Sequence, residues 1–238
     1  MSSQHRAPET RRQYQVIADR VRHLIAEQGL IAGARLPAER ELAQQLGVSR
    51  PSVREALIAL EIEGWVEIRG GSGVYVCDKP GDGGETPSLG ESPAELMQAR
   101  LVLESAVVTL AAARATKEGL QRVEKALAAM REQHAQGIKP VEADRRFHIS
   151  IAEMTGNAVL VELVGKLFDG RHSPLSARMS SEAESSPQIW QVALDEHEAI
   201  YRALEARSPQ AAVAALGGHL QASQGRWAET TERAVLTA

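Results

Sequence analysis

Apolar positions in the first third of the chain recur at three- and four-residue intervals and then, abruptly, at two. Tyr14, Ile17, Val21, Leu24 and Ile25 make one helical stripe that ends near Gly29. A second helix is expected after Leu36-Pro37, where proline fits the first turn, through Glu41, Leu42 and Leu46 to Gly47. Ser49 is placed to cap a third over 50–61, closed by Gly64. From Trp65 onward the period is two. Trp65-Val66-Glu67-Ile68 and Val74-Tyr75-Val76 read as short strands, joined by Arg69-Gly70-Gly71-Ser72-Gly73. Three helices and a hairpin predict a winged helix-turn-helix over residues 1–76.

Residues 77–93 are dense in Gly, Pro and acid, too poor in apolar surface to order themselves, and read as a linker. Beyond it helical intervals return over 94–116, 118–136, 141–155, 158–169, 187–207 and 209–229, with no strand pattern between them. The expected architecture is mainly α. It pairs the winged domain with an antiparallel bundle of about six helices over 94–232, large enough for its own core.

The 238 residues are 43% hydrophobic and 24% charged, an ordinary globular composition that excludes disordered and collagen-like chains. A net charge of −4 gives no whole-molecule attraction to phosphate or anionic lipid. Residues 1–76 hold ten Lys/Arg against nine Asp/Glu, and the remainder 17 against 22, so any nucleic-acid face must be local. Cys77 is the single cysteine and makes no internal disulfide, and the first residues lack the apolar core of a signal peptide. The longest mostly apolar run, 101–113, is interrupted by Glu104 and too short for a bilayer. A cytoplasmic protein without a membrane partner is expected.

A helix-turn-helix reads DNA when its second helix opens with long donors and little bulk. Arg50 and Arg54 are one turn apart at that position, able to pair with guanine or grip phosphate, while Val53 and Leu57 face inward. Arg35 and Arg40 would meet the flanking backbone, and the glycines at 70, 71 and 73 would let the wing approach a groove. The bland alternative is a solvated arginine face. The runs 33–43, 46–57 and 71–76 resemble the GntR family of bacterial transcription regulators. That resemblance implies DNA contacts by Arg35, Arg40, Ser49, Arg50, Ser52, Arg54, Gly70 and Gly71, and a dimer on a near-palindromic operator. The helical part resembles the FadR-type (FCD) effector domain.

Asp144 and His148 lie four apart, on one helical face beside Phe147, Ile151 and Met154. His197 and His219 lie on two later helices. One Asp and three His suit Zn²⁺, with Ni²⁺, Mn²⁺ or Fe²⁺ as alternatives, but spacing does not show that they converge, and hydrogen-bonded core or surface histidines are the competing reading. The family resemblance implies a metal at these four places. Arg226 follows His219 by two turns and Trp190 precedes His197 by two, so both can line the same cavity; the alternatives are a surface arginine and a core tryptophan. Arg100 stands one turn before Glu104, where an intrahelical pair is the local reading and the resemblance implies contact with an effector carboxylate.

Phe147-His148, Thr155-Gly156-Asn157, residues 167–175 and Trp190 look most like the branch that answers to hexuronates and related sugar acids. A hydroxy acid or a dicarboxylate is the alternative. The expected function is therefore a ligand-responsive regulator, a repressor in the leading reading. It binds double-stranded operator DNA as a homodimer and a small organic acid at a metal. The competing class is a metal-dependent hydrolase or lyase with a DNA-binding head, for which no general base or nucleophile motif is evident.

Overall fold

The computed structural model describes residues 12–78, 90–183 and 187–236, with side chains omitted at 172, 179–183 and 187 and beyond 226. Most of the expected linker, 79–89, lies outside the described residues. Two compact units divide between Ser92 and Pro93.

In the first unit α1 (Gln13–Glu27) buries Tyr14, Ile17, Ala18, Val21 and Ile25 on one stripe. Helix α2 (Glu39–Leu46) stops at Gly47, whose φ of +66° provides the left-handed turn that an L side chain would resist. Ser49 caps α3 (Arg50–Ile62), its Oγ accepting from the Ser52 amide at 3.3 Å. Strands β1 (Val66–Arg69) and β2 (Gly73–Val76) pair antiparallel, Val66 against Val76 and Ile68 against Val74. One pairing has no signature in the apolar pattern: Arg35 bridges Tyr75, and the Gly33, Leu36 and Val76 amides bond to the Val76, Val74 and Ala34 carbonyls, adding an edge to the wing. Ile17, Val21, Leu42, Val53, Leu57, Leu60, Val66 and Val74 form the shared core.

The second unit is helical throughout its described residues: α4 (Pro93–Ala113), α5 (Lys117–Ala135), α6 (Val141–Glu153), α7 (Ala158–Asp169), a 3-10 turn (Gly170–His172), α8 (Pro174–Ala183), α9 (Pro187–Glu205) and α10 (Pro209–Leu236). Helix α8 is additional to the six expected. Its sequence is serine-rich and buries only Leu175 and Ser176 among its described side chains, so no apolar stripe announces it. Thr116 caps α5 and Asn157 caps α7 through their side-chain oxygens. Gly119 lets α5 lie close on α6, since a Cβ there would stand 2.9 Å from Met154 Cγ. Helix α4 extends N-terminal of the 101–113 run and is long and apolar enough to cross a bilayer. Its packing against α6, α7 and α9, with a buried Arg100–Glu104 ion pair, instead makes it a core helix. The core gathers Val107, Val108, Val123, Leu127, Met130, Phe147, Ile151, Ile200, Leu204, Leu216 and Leu220.

Candidate metal centre and nucleic-acid interface

On α6, Phe147 and Ile151 anchor the helix in the core, and the same winding turns Asp144 and His148 inward one turn apart. His197 of α9 and His219 of α10 meet them. One ligand atom from each of the four residues lies within 4.8 Å of the others, and all four residues are buried. Phe147 packs edge-on against the His197 ring, centroids 4.8 Å apart, and the His197 and His219 rings stand 4.2 Å apart.

Each imidazole is held from behind. His148 Nδ1 lies 2.6 Å from Glu104 Oε2, His197 Nδ1 2.6 Å from the Ala193 carbonyl, and His219 Nδ1 2.8 Å from Glu196 Oε2. A carbonyl or carboxylate can only accept, so every Nδ1 donates, and each ring when neutral turns its Nε2 lone pair inward. His197 Nε2 then faces Asp144 Oδ1 at 2.9 Å, and His148 Nε2 faces the same oxygen at 3.4 Å with no hydrogen bond of its own. Acceptors that converge at this range repel unless a proton or a cation lies among them. The donor set thus fits a divalent cation that takes mixed nitrogen and oxygen ligands.

The electrostatics agree. Burial alone would raise the Asp144 carboxyl, but His148 and His197 hold it well below the ordinary range. Burial likewise opposes ionisation of Glu104, yet Arg100 and His148 bring it down to about 2. His219 is pushed down to about 3 by burial and then by His197, which keeps it the neutral imidazole a metal requires. Burial disfavours a charge on His148, but Glu104 and Asp144 outweigh it and raise its pKa. The carboxylates that favour a proton there favour a metal ion for the same reason.

The three residues expected to receive an acid differ in circumstance. Arg100 is 1% exposed; its Nε donates to Glu104 Oε1 at 2.7 Å, its guanidinium lies over Phe168, and its Nη2 is buried without a partner. The local pairing with Glu104 is therefore present and leaves one edge of the guanidinium unused. Trp190 is buried on α9 with its indole N–H unsatisfied. Arg226 donates to Glu196 through both terminal nitrogens, at 2.8 and 3.0 Å. Sequence reasoning missed Glu196, and also Arg171, whose Nη1 stands 3.4 Å from Asp144 Oδ2 while its guanidinium lies over Phe168. Glu196 adjoins His197, and the acidic run around that histidine was the available signal.

In the first unit Arg35, Arg40, Ser49, Arg50 and Gly70 are exposed, while Gly71 is half-buried at the wing tip. Arg54 is half-buried, 3.5 Å from Glu39. Ser52 is buried and shares a 2.8 Å hydrogen bond between hydroxyls with Ser49, which places it in the cap of α3. Arg35 lies across the wing, where a Cβ on Gly73 would meet its Nε at 2.7 Å.

Comparison with known proteins matches residues 13–76 to the bacterial regulatory proteins of the gntR family and residues 95–222 to the FCD domain. The chain is 37% identical over 226 residues to the Uxu operon transcriptional regulator of Escherichia coli K12, covering 90% of this chain and 86% of that one. It is 35% identical over 222 residues to the Exu regulon transcriptional regulator of the same strain, covering 90% and 83%. The solved structure of E. coli McbR/YncC shares the fold, with a TM-score of 0.52 at 20% identity over 92% of this chain and 99% of that one.

Proposed function

The chain belongs to the GntR family and carries an FCD domain, and from that premise we propose that it represses transcription as a homodimer whose hold on operator DNA answers to a sugar acid, most simply a hexuronate. The family is one of ligand-responsive transcription regulators, not enzymes, which removes the hydrolase or lyase alternative. Its members bind operator DNA and small-molecule effectors, and this chain acts where that DNA is, in the cytoplasm.

The observation that carries the reading is the inward convergence of Asp144, His148, His197 and His219, each imidazole anchored at Nδ1. These four residues would hold a divalent metal, zinc first, with nickel, manganese or iron as alternatives. A bound ion there would offer one oxygen of an organic acid an electrophilic partner. Arg100 would hold the acid's second oxygen through its unused Nη2, and Trp190 would give an apolar wall and an N–H donor. Arg226 would support the pocket through Glu196 rather than touch the acid directly.

The sugar-acid class is supported by the residues between 147 and 190 that resemble the hexuronate-responsive branch, and it is in keeping with the Uxu and Exu relatives. On DNA, Arg50 and Arg54 would enter the major groove, with Arg35, Arg40, Ser49, Gly70 and Gly71 near phosphates and Ser52 acting through the cap. The homodimer is supported by α4, which leaves Val102 and Leu110 76% and 40% exposed, an apolar face suited to a second copy.

Thermal melting of zinc-replete protein with hexuronates, lactate and dicarboxylates tests the reading, because a ligand of the native state raises the midpoint by mass action. A hexuronate should raise it most and should change the gel shift of operator DNA. Equal, zero shifts with every acid would refute the sensor.

A further inference from the structure

Two of the three imidazoles are backed by the same sequence of groups, arginine to glutamate to histidine, yet the two chains differ in burial and in how the guanidinium is engaged. Arg100–Glu104–His148 runs from α4 to α6 through contacts of 2.7 and 2.6 Å, with side chains 1–4% exposed and one terminal guanidinium nitrogen buried and unpartnered. Arg226–Glu196–His219 joins α10 to α9, its arginine and glutamate side chains are 18% and 19% exposed, and both terminal nitrogens of its arginine already bond to the glutamate.

We propose that Glu104 is a positioning residue that couples acid binding to metal binding, whereas Glu196 only steadies the metal site. This rests on the reading that acid and metal share the pocket. An anion taking Arg100 Nη2 fixes the guanidinium from its open edge. The guanidinium fixes Glu104 through Nε, and Glu104 Oε2 fixes the Nδ1–H of His148 and hence the aim of its Nε2. In the reverse direction, with a cation held at Nε2 the His148 Nδ1–H would be a stronger donor to Glu104 Oε2, and Glu104 would hold the Arg100 guanidinium more firmly in the arrangement that presents Nη2 to an anion. Linkage requires the two effects to be equal. In the outer chain Glu196 already takes both terminal nitrogens of Arg226 and both side chains are part-exposed, so an anion there competes with Glu196 and with water, whereas Arg100 Nη2 is buried and unpartnered.

The experiment is a thermodynamic cycle on the full chain. Zn²⁺ affinity is measured by competition with a chromophoric chelator, with and without saturating D-galacturonate, and the ratio is the coupling factor. In the wild type the acid should tighten zinc about tenfold or more. Glu104→Gln and Glu196→Gln should each weaken zinc alone by about 10–100-fold, the cost of a lost histidine support. Only Glu104→Gln should also lower the coupling factor, by about fivefold or more, while Glu196→Gln holds it within about twofold of wild type. Equal coupling factors in the two variants overturn the proposal. Glu104→Asp keeps the charge but withdraws the carboxylate by one methylene; it should show the same loss and stands in if the glutamine variant lacks the wild-type helical spectrum, and wild-type coupling in it also overturns the proposal. Absence of zinc or acid binding in the wild type would instead overturn the shared-pocket reading, and this role with it.

Discussion

His197 shows how much one side chain can settle. Its Nδ1 is committed to the Ala193 carbonyl, which leaves Nε2 to face the Asp144 carboxylate at 2.9 Å, and removing the ring opens the centre rather than relaxing it. His197→Ala should drop bound metal to a small fraction of one ion per chain by elemental analysis; full occupancy in that variant would exclude the site. Gly73 tests the other unit. Its φ of +118° is a conformation that side-chain-bearing residues resist, and a methyl there would also displace the Arg35 guanidinium. Gly73→Ala should cost about 1–2 kcal/mol in a denaturant melt and weaken DNA binding beyond that, because Arg35 moves. Asp144 and His148 were legible because a four-residue interval on a helix is a geometric statement. Glu196 and Arg171 were not, because their contacts to His219 and Asp144 span 23 and 27 residues of sequence, and no local periodicity encodes such a meeting.

Among elements, the recognition helix is the most strongly written. The Ser49 cap, Pro51 in the first turn and the inward Val53 and Leu57 fix where α3 starts and how it is rotated, which leaves Arg50 exposed and Arg54 half-exposed on its first turns. Arg54→Ala should lower operator affinity by about tenfold or more in a gel shift, since a single good base or phosphate contact is worth that much. Its pair with Glu39, at 3.5 Å and partly solvated, adds under about 1 kcal/mol to folding, so the melting curve should barely move. Normal DNA binding by this variant would displace α3 as the reading element. The sequence pattern was weaker elsewhere. Residues 34–36 pair with β2 without any alternation of their own, so backbone pairing made that edge where propensity was silent, and α8 carries only a short, serine-rich pattern. Helix α10 continues to Leu236, past the expected end at 229.

For the whole molecule, metal, acid and fold stability should form one linked system. Stripping metal with a chelator should lower the melting temperature of the helical unit, zinc should restore it, and a hexuronate should raise it further only when zinc is present. A sugar acid that stabilises the metal-free protein equally well would separate the two sites. The same centre has a consequence for life under oxidants. The four side chains that could hold an ion offer it nitrogen and oxygen atoms, and the chain's single sulfhydryl, Cys77, follows β2 in the other unit. Peroxide and related electrophiles expel ions from thiolate cages by converting the sulfur ligands. Zinc held by nitrogen and oxygen alone would have no thiolate to lose, so a zinc-loaded centre should keep its ion in peroxide where a thiolate cage would release it.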